Sequence, residues 1–185
     1  MGTMSLAERS RHEVERRVAR LRAEFGEFPV EQLTVENDPA YFEHGREYIE
    51  EGHVGAAGAV IHREDGRVLL IYQSEAETWG PPGGGHEPGE TLEETALREV
   101  REETTVECQL TGVFRAERKR FVHEEDPEQR GYLLELFFEA AYVSGTPDAS
   151  GDDEITAARW FEEPPENDLD FRVEPGSGIW TGAAP

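Results

Sequence analysis

Residues 79–106 read WGPPGGGHEPGETLEETALREVREETTV, and the two halves of this stretch differ sharply. From Trp79 to Gly89, five of eleven residues are Gly and three are Pro. That composition leaves no regular element and predicts an ordered loop or series of turns. Thr91 then opens a helix. Its hydroxyl and the carboxylate of Glu94 form a capping box that satisfies free backbone N–H groups. Leu92, Ala96, Leu97 and Val100 supply the buried stripe. On the same helix Glu99, Glu102 and Glu103 stand at i, i+3 and i+4, so three carboxylates share a face. At about 100° per residue, Glu99 and Glu103 flank the arc of Leu92, Ala96 and Val100, at the edge of the buried face. Like charges at this spacing repel one another. A divalent cation turns that repulsion into binding, and oxygen-only ligands suit Mg²⁺ or Mn²⁺. In a chain with 33 Glu, the helix alone leaves both this reading and an ordinary solvated acidic face open.

Working outward, residues 54–62 and 68–72 read as strands joined at Glu64-Asp65-Gly66-Arg67, where Asp-Gly signals a hairpin turn. Downstream, residues 108–121 and 132–143 read as long strands connected by the charged loop 123–130. A Gly/Pro/Asp loop over 144–153 leads to a short last strand at 157–161. Residues 29–52 read as irregular and acidic, apart from a short helix around 41–49. Residues 1–27 are nearly neutral, and Val14, Val18, Leu21 and Phe25 line one helical face before Gly26 and Pro29 stop the helix. This arm packs either on the main domain or on a second copy of itself, the latter as a homodimer. The expected organisation is an N-terminal helical arm and linker (1–50), a main domain (51–165) and a C-terminal tail (166–185) without clear periodicity. There is no internal repeat.

Composition narrows the function classes. The chain has 185 residues, 41 acidic against 18 basic, for a net charge of −23. With 36% hydrophobic residues and this length, it can bury a core as one domain. No apolar run is long enough for a membrane span and the N-terminus lacks a secretory apolar stretch, so the expectation is a cytoplasmic protein. Its charge repels nucleic-acid backbones and anionic membranes. The lone Cys108 excludes an intrachain disulfide and a Cys-rich zinc site. The six His lack metal-ligand spacing and are expected at the surface. Only Lys119 is a lysine. Such an acidic, Lys-poor surface resembles that of halophilic proteins, in which concentrated salt screens self-repulsion.

Gly84 is followed after five residues by Glu90, and after seven more by Arg98-Glu99-Val100-Arg101-Glu102-Glu103-Thr104-Thr105-Val106. This spacing resembles the signature of the Nudix hydrolase superfamily, G-x5-E-x7-R-E-U-x-E-E-x-G-U with U apolar. Trp79-Gly80-Pro81-Pro82-Gly83-Gly84 resembles the usual approach to that box. Every fixed position matches except the last Gly, which is Thr105. The resemblance covers the box and a compatible strand order from about residue 53 to residue 163. It implies an α/β fold, an α/β/α sandwich around a mixed β-sheet, here with an extra N-terminal helix.

The resemblance also implies chemistry. Family members use Mg²⁺ or Mn²⁺ to cleave a pyrophosphate linking a nucleoside to a second group. Cations neutralise the dense charge of the pyrophosphate and polarise its P–O bonds. Glu102 and Glu103 match the principal metal ligands, and Glu99 a further ligand or general base. The carbonyl of Gly84 matches a backbone ligand, and Arg98 pairs with a box carboxylate. Glu90 is read as stabilising the loop–helix junction, and Val100 and Val106 as core anchors. Glu154 matches a position where relatives place an extra metal-binding or water-activating acid, although other acids lie nearby. Arg118 and Arg120 share a strand face. With Arg115 and Lys119 they form a positive cluster that either holds substrate phosphates or pairs with the abundant Glu. The partner implied is a small nucleoside diphosphate derivative. Neither the Pro of ADP-ribose-cleaving relatives nor the Tyr of dinucleoside-polyphosphate relatives stands in the matching region, Phe121-Val122-His123. Thr105 raises one alternative, a nucleotide-binding or regulatory module with a degenerate box. The Gly it replaces serves a backbone with φ > 0, unfavourable for a β-branched residue. The helix is therefore expected to run on, or the turn to differ.

Overall fold

The N-terminal helix α1 (Leu6–Phe25) begins at Ser5, whose side chain and that of Glu8 form a reciprocal capping box, and ends at Gly26 with φ +85°. The computed structural model describes residues 4–149 and 154–166. The elements that follow α1 are β1 (Glu31–Asn37), α2 (Pro39–Glu50), β2 (Gly55–His62), β3 (Val68–Gln73), β4 (Thr78–Gly80), β5 (Gly83–Gly85), α3 (Leu92–Thr104), β6 (Glu107–His123), β7 (Arg130–Ser144) and β8 (Ile155–Phe161). The described strands form one sheet in the order β1-β6-β7-β2-β3-β4, with β5 on β2 and β8 on β3. β1 runs parallel to β6 and β2 parallel to β7, whereas the other pairs are antiparallel, so the sheet is mixed.

Strand alternation sorts the core into two faces. Ala57, Ala59 and Ile61 of β2 and Leu134, Leu136 and Phe138 of β7 face α1 and α3. From the helices come Val14, Val18 and Leu21 of α1 and Leu92, Ala96 and Val100 of α3. The alternate residues face the other way, where Phe121 of β6 meets Phe42 of α2 with ring centroids 5.3 Å apart. Helices on both faces make the expected three layers. The N-terminal arm thus packs on its own chain. Its three buried side chains contribute about 1.5–3 kcal/mol each.

Three expectations need correction. Residues 31–37 form a strand rather than an irregular linker, because the edge of β6 that faces away from β7 is open over residues 117–123 and β1 adds to it, Leu33 pairing with Lys119 and Val35 with Phe121. The helix in that region is longer than expected, because Asp38 caps it and Pro39 starts it. The Gly/Pro stretch contains two short strands, β4 and β5. Gly83 pairs with Gly58 of β2, and a Cβ on Gly58 would lie 2.3 Å from the Pro82 carbonyl oxygen, so the close approach requires the missing side chain. The loop over 144–153 is described only to residue 149, and the tail only to residue 166.

Thr105 neither extends α3 nor changes the turn. It caps the helix in the left-handed conformation, φ 57° and ψ 13°, and its hydroxyl donates to the Thr146 carbonyl at 2.8 Å. A left-handed non-glycine residue costs about 1–2 kcal/mol, and an exposed hydrogen bond returns about 0.5–1 kcal/mol. Thr105→Gly is therefore expected to stabilise the protein by about 1 kcal/mol, read as a higher denaturant midpoint. A lower midpoint would mean that the Thr146 contact outweighs the backbone strain.

Candidate active site

The loop–helix junction is built around one guanidinium. Arg98 donates from Nε to Glu90 Oε1 at 2.8 Å and from Nη2 to Glu90 Oε2 at 3.1 Å. It also reaches the Gly85 carbonyl at 2.9 Å, Glu99 at 2.6 Å and Glu102 at 3.3 Å. Glu90 accepts further from the Thr95 hydroxyl at 2.8 Å. The Arg98 contacts, reinforced by Thr95, lower the Glu90 carboxyl to a pKa of about 2. This is the expected role for Glu90, locking the turn before α3 to the helix itself.

A pH dependence follows. The folded-state pKa of Glu90 lies below its usual value of 4.5. Its contribution to stability is therefore present above pH 4.5 and lost as pH falls toward 2. Glu90→Gln should flatten the stability profile in that interval and lower stability at neutral pH. An acid limb as steep as wild type would exclude Glu90 as a contributor.

Beside this lock lies a cavity of about 390 Å³ lined by Gln73, Glu75, Gly83, Gly84, Gly85, Glu99, Glu103, Glu154 and Ile155. Glu103, only 6% exposed, accepts the Gly83 N–H at 2.8 Å. Burial pushes the Glu99 carboxyl up from its ordinary pKa, against the lowering effect of Arg98. A Cβ on Gly84 would stand 2.5–2.6 Å from the Glu99 carboxylate atoms, so only glycine leaves that carboxylate its place. Glu154 enters from the residue before β8, and its carbonyl accepts both the N–H of Ser74, at 3.2 Å, and its hydroxyl, at 2.9 Å.

The structure therefore brings Gly84, Glu99, Glu103 and Glu154 to one cavity. Glu102 does not line it. Its side chain is exposed and pairs with Arg98. Among the described residues no three His, Cys, Asp or Glu side chains converge closely enough to hold an ion as they stand. The donor set nevertheless fits a hard divalent cation, because carboxylate and carbonyl oxygens surround a polar cavity and Gly84 leaves room beside Glu99.

Arg118 and Arg120 do not line the cavity. Their strand face is that of Leu134 and Tyr132, beneath α1. Arg118 donates to Gln32 at 2.6 Å and pairs with Glu15 at 3.8 Å. One His expectation is overturned. His86 is 1% exposed, with Nε2 donating to the Glu90 carbonyl at 2.9 Å, because the loop folds back against the start of β2. Burial lowers its pKa and favours the neutral ring.

No motif marks Gln73, Glu75 or Tyr48, yet all three adjoin this site. Gln73 and Glu75 come from the end of β3 and the turn after it. Tyr48 of α2 donates to the Gly55 carbonyl at 2.9 Å, and its hydroxyl is 3.3 Å from where a Gly85 Cβ would stand. Only tertiary folding delivers residue 48 to the loop.

The NUDIX domain family model matches residues 52–174. A MutT-like protein from Streptomyces ambofaciens is 46% identical over 65 residues, which are 34% of this chain and 42% of that protein. The nucleoside triphosphatase NudI of Enterobacter sp. (strain 638) is 31% identical over 97 residues, 50% of this chain and 67% of that one. Among solved structures, a MutT NUDIX hydrolase from Burkholderia pseudomallei aligns with a TM-score of 0.47 at 28% identity, covering 63% of this chain and 90% of that chain. The matched segments span 42% and 67% of these two curated relatives.

Proposed function

Because the chain belongs to the Nudix family, we propose that it is a Mg²⁺-dependent hydrolase that cleaves the pyrophosphate bond of a nucleoside diphosphate linked to another group. The observation that carries this reading is the acidic cavity, with Glu99, Glu103, Glu154 and Gly84 at the end of the Arg98–Glu90 lock. In this proposal Gly84, Glu99, Glu103 and Glu154, which line the cavity, would hold the cation, with Mn²⁺ as a substitute, and Glu102 would join them only by turning its exposed side chain away from Arg98. Bound there, the cation supplies charge neutralisation and polarises a P–O bond. Arg98 orients Glu99 and Glu102 through its hydrogen bonds. Glu99, whose carboxyl is pushed up by burial, suits a group that takes a proton from water. Arg118 is assigned to ion pairing with Glu15, and both Arg118 and Arg120 to strand packing under α1, rather than to substrate phosphates.

The alternative, a binding module with a degenerate box, loses its motive. It rests on Thr105, and Thr105 adopts the left-handed backbone that a glycine would serve. No described helix is long and apolar enough to cross a membrane. A cytoplasmic, salt-adapted enzyme that acts on small nucleotides suits the charge of −23.

The test is a panel of nucleoside triphosphates, sugar nucleotides, dinucleotides and a 5′-triphosphate RNA, assayed with Mg²⁺ at low and high salt. Turnover of at least one small nucleotide, faster at high salt and absent with EDTA, is expected. No turnover of any compound would sink the hydrolase reading, and preference for the RNA would overturn the small-molecule assignment.

A further inference from the structure

The N-terminal helix touches the machinery at two points, both at the junction where α3 starts. Arg20 binds Glu93, on the first turn of α3, through two hydrogen bonds of 2.8 and 2.6 Å. Arg17, its side chain only 13% exposed, donates to the Glu90 carbonyl at 3.2 Å. That carbonyl is the one His86 also holds, and the Glu90 carboxylate is the one that holds Arg98 and, through it, Glu99. Arg17 and Arg20 also pair within α1, with Glu13 and Glu24, as Arg11 and Arg16 do with Glu15 and Glu13, but only Arg17 and Arg20 of these four reach the start of α3 as well. Simple docking of α1 is provided by Val14, Val18 and Leu21 and needs no bidentate ion pair at this junction.

We propose that α1 positions the catalytic helix. Arg20 through Glu93, and Arg17 through the Glu90 carbonyl, set the rotation and depth of α3 and hence the place of the Glu99 and Glu103 carboxylates. Arg17 and Arg20 are positioning residues. This inference rests on the metal-dependent hydrolase reading. Geometry explains the leverage. A carboxylate on a helix lies about 6 Å from the axis, so a rotation of about 10° displaces it by about 1 Å. Misplacement by about 1 Å costs on the order of 10²-fold in rate. Residues 1–50 would thus belong to the working enzyme although the box begins at Gly84.

The test compares Arg20→Glu, Glu93→Arg and the charge-swapped double variant, with Arg20→Gln as the milder substitution should the reversals fail to fold. Mn²⁺ affinity is read from free-ion electron paramagnetic resonance, kcat and KM from the fastest compound of the panel, and folding from the thermal midpoint. Each single reversal is expected to weaken Mn²⁺ binding and to lower kcat, each by about tenfold, with KM nearly unchanged. The swap should restore both to within about threefold of wild type. Wild-type Mn²⁺ affinity in the single variants, with only the midpoint lowered, would overturn the proposal. So would a swap that regains the midpoint but not Mn²⁺ affinity. Glu103→Gln in the same titration separates the two failures. If it too binds Mn²⁺ normally, the metal reading is wrong. If it loses Mn²⁺ while Arg20→Glu and Arg20→Gln do not, only the positioning role is wrong.

Discussion

Glu103→Gln is expected to reduce turnover by at least about 10³-fold, on the order of 4 kcal/mol of transition-state stabilisation, while leaving the fold intact. Glu103 is buried at the edge of the apolar stripe of α3 and faces the cavity. Its carboxylate accepts the Gly83 N–H. The amide oxygen of Gln can accept that same hydrogen bond, so the loop keeps its anchor. What disappears is one negative charge where a cation must sit beside a negatively charged substrate. The enzyme as a whole cannot compensate, because its net charge of −23 only adds to the repulsion of a pyrophosphate. Comparing steady-state turnover and thermal midpoints separates the two effects. Unchanged turnover in a folded variant would mean that Glu103 is not a metal ligand.

Gly84→Ala should come second, with a loss on the order of 10²-fold in kcat. The added methyl would stand 2.5–2.6 Å from three atoms of the Glu99 carboxylate, closer than real contacts allow. The backbone of β5 is held by its pairing with β2, so the side chain of Glu99 must move instead. It can do so cheaply, being the far end of a flexible residue, and the midpoint should fall little. Its movement also strains the Arg98 contact at 2.6 Å. The expected signature is a large fall in kcat with weaker Mg²⁺ dependence and a nearly normal denaturation curve. A variant that keeps wild-type kcat would show that the place of Glu99 does not matter to the reaction.

The loop–helix part of this site is legible in the chain itself. Thr91, Glu94 and the stripe through Val100 specify α3 by local rules, and the spacing of Glu99 and Glu103 puts both at the edge of the buried face, where the structure has them. β1 is illegible for a physical reason. Its residues are polar and largely exposed, and only pairing with the outer edge of β6 makes them a strand. β4 and β5 are hidden by their own glycines, which lower intrinsic strand preference while permitting the close pairing of Gly83 with Gly58. His86 follows the same logic. Nothing in its neighbours announces burial, which arises when Gly55 accepts its backbone N–H and the loop turns inward. Glu75 and Tyr48 reach the cavity region through chain reversals that no local spacing encodes.

The most direct test of the acidic cavity as a divalent-cation site is Mn²⁺ binding to the intact protein, followed by electron paramagnetic resonance and competed with Mg²⁺. Wild type should bind Mn²⁺ in a form displaced by Mg²⁺, and Glu103→Gln and Gly84→Ala should each bind it at least about tenfold more weakly. Equal binding by all three folded proteins would contradict the assignment of this cavity to the metal.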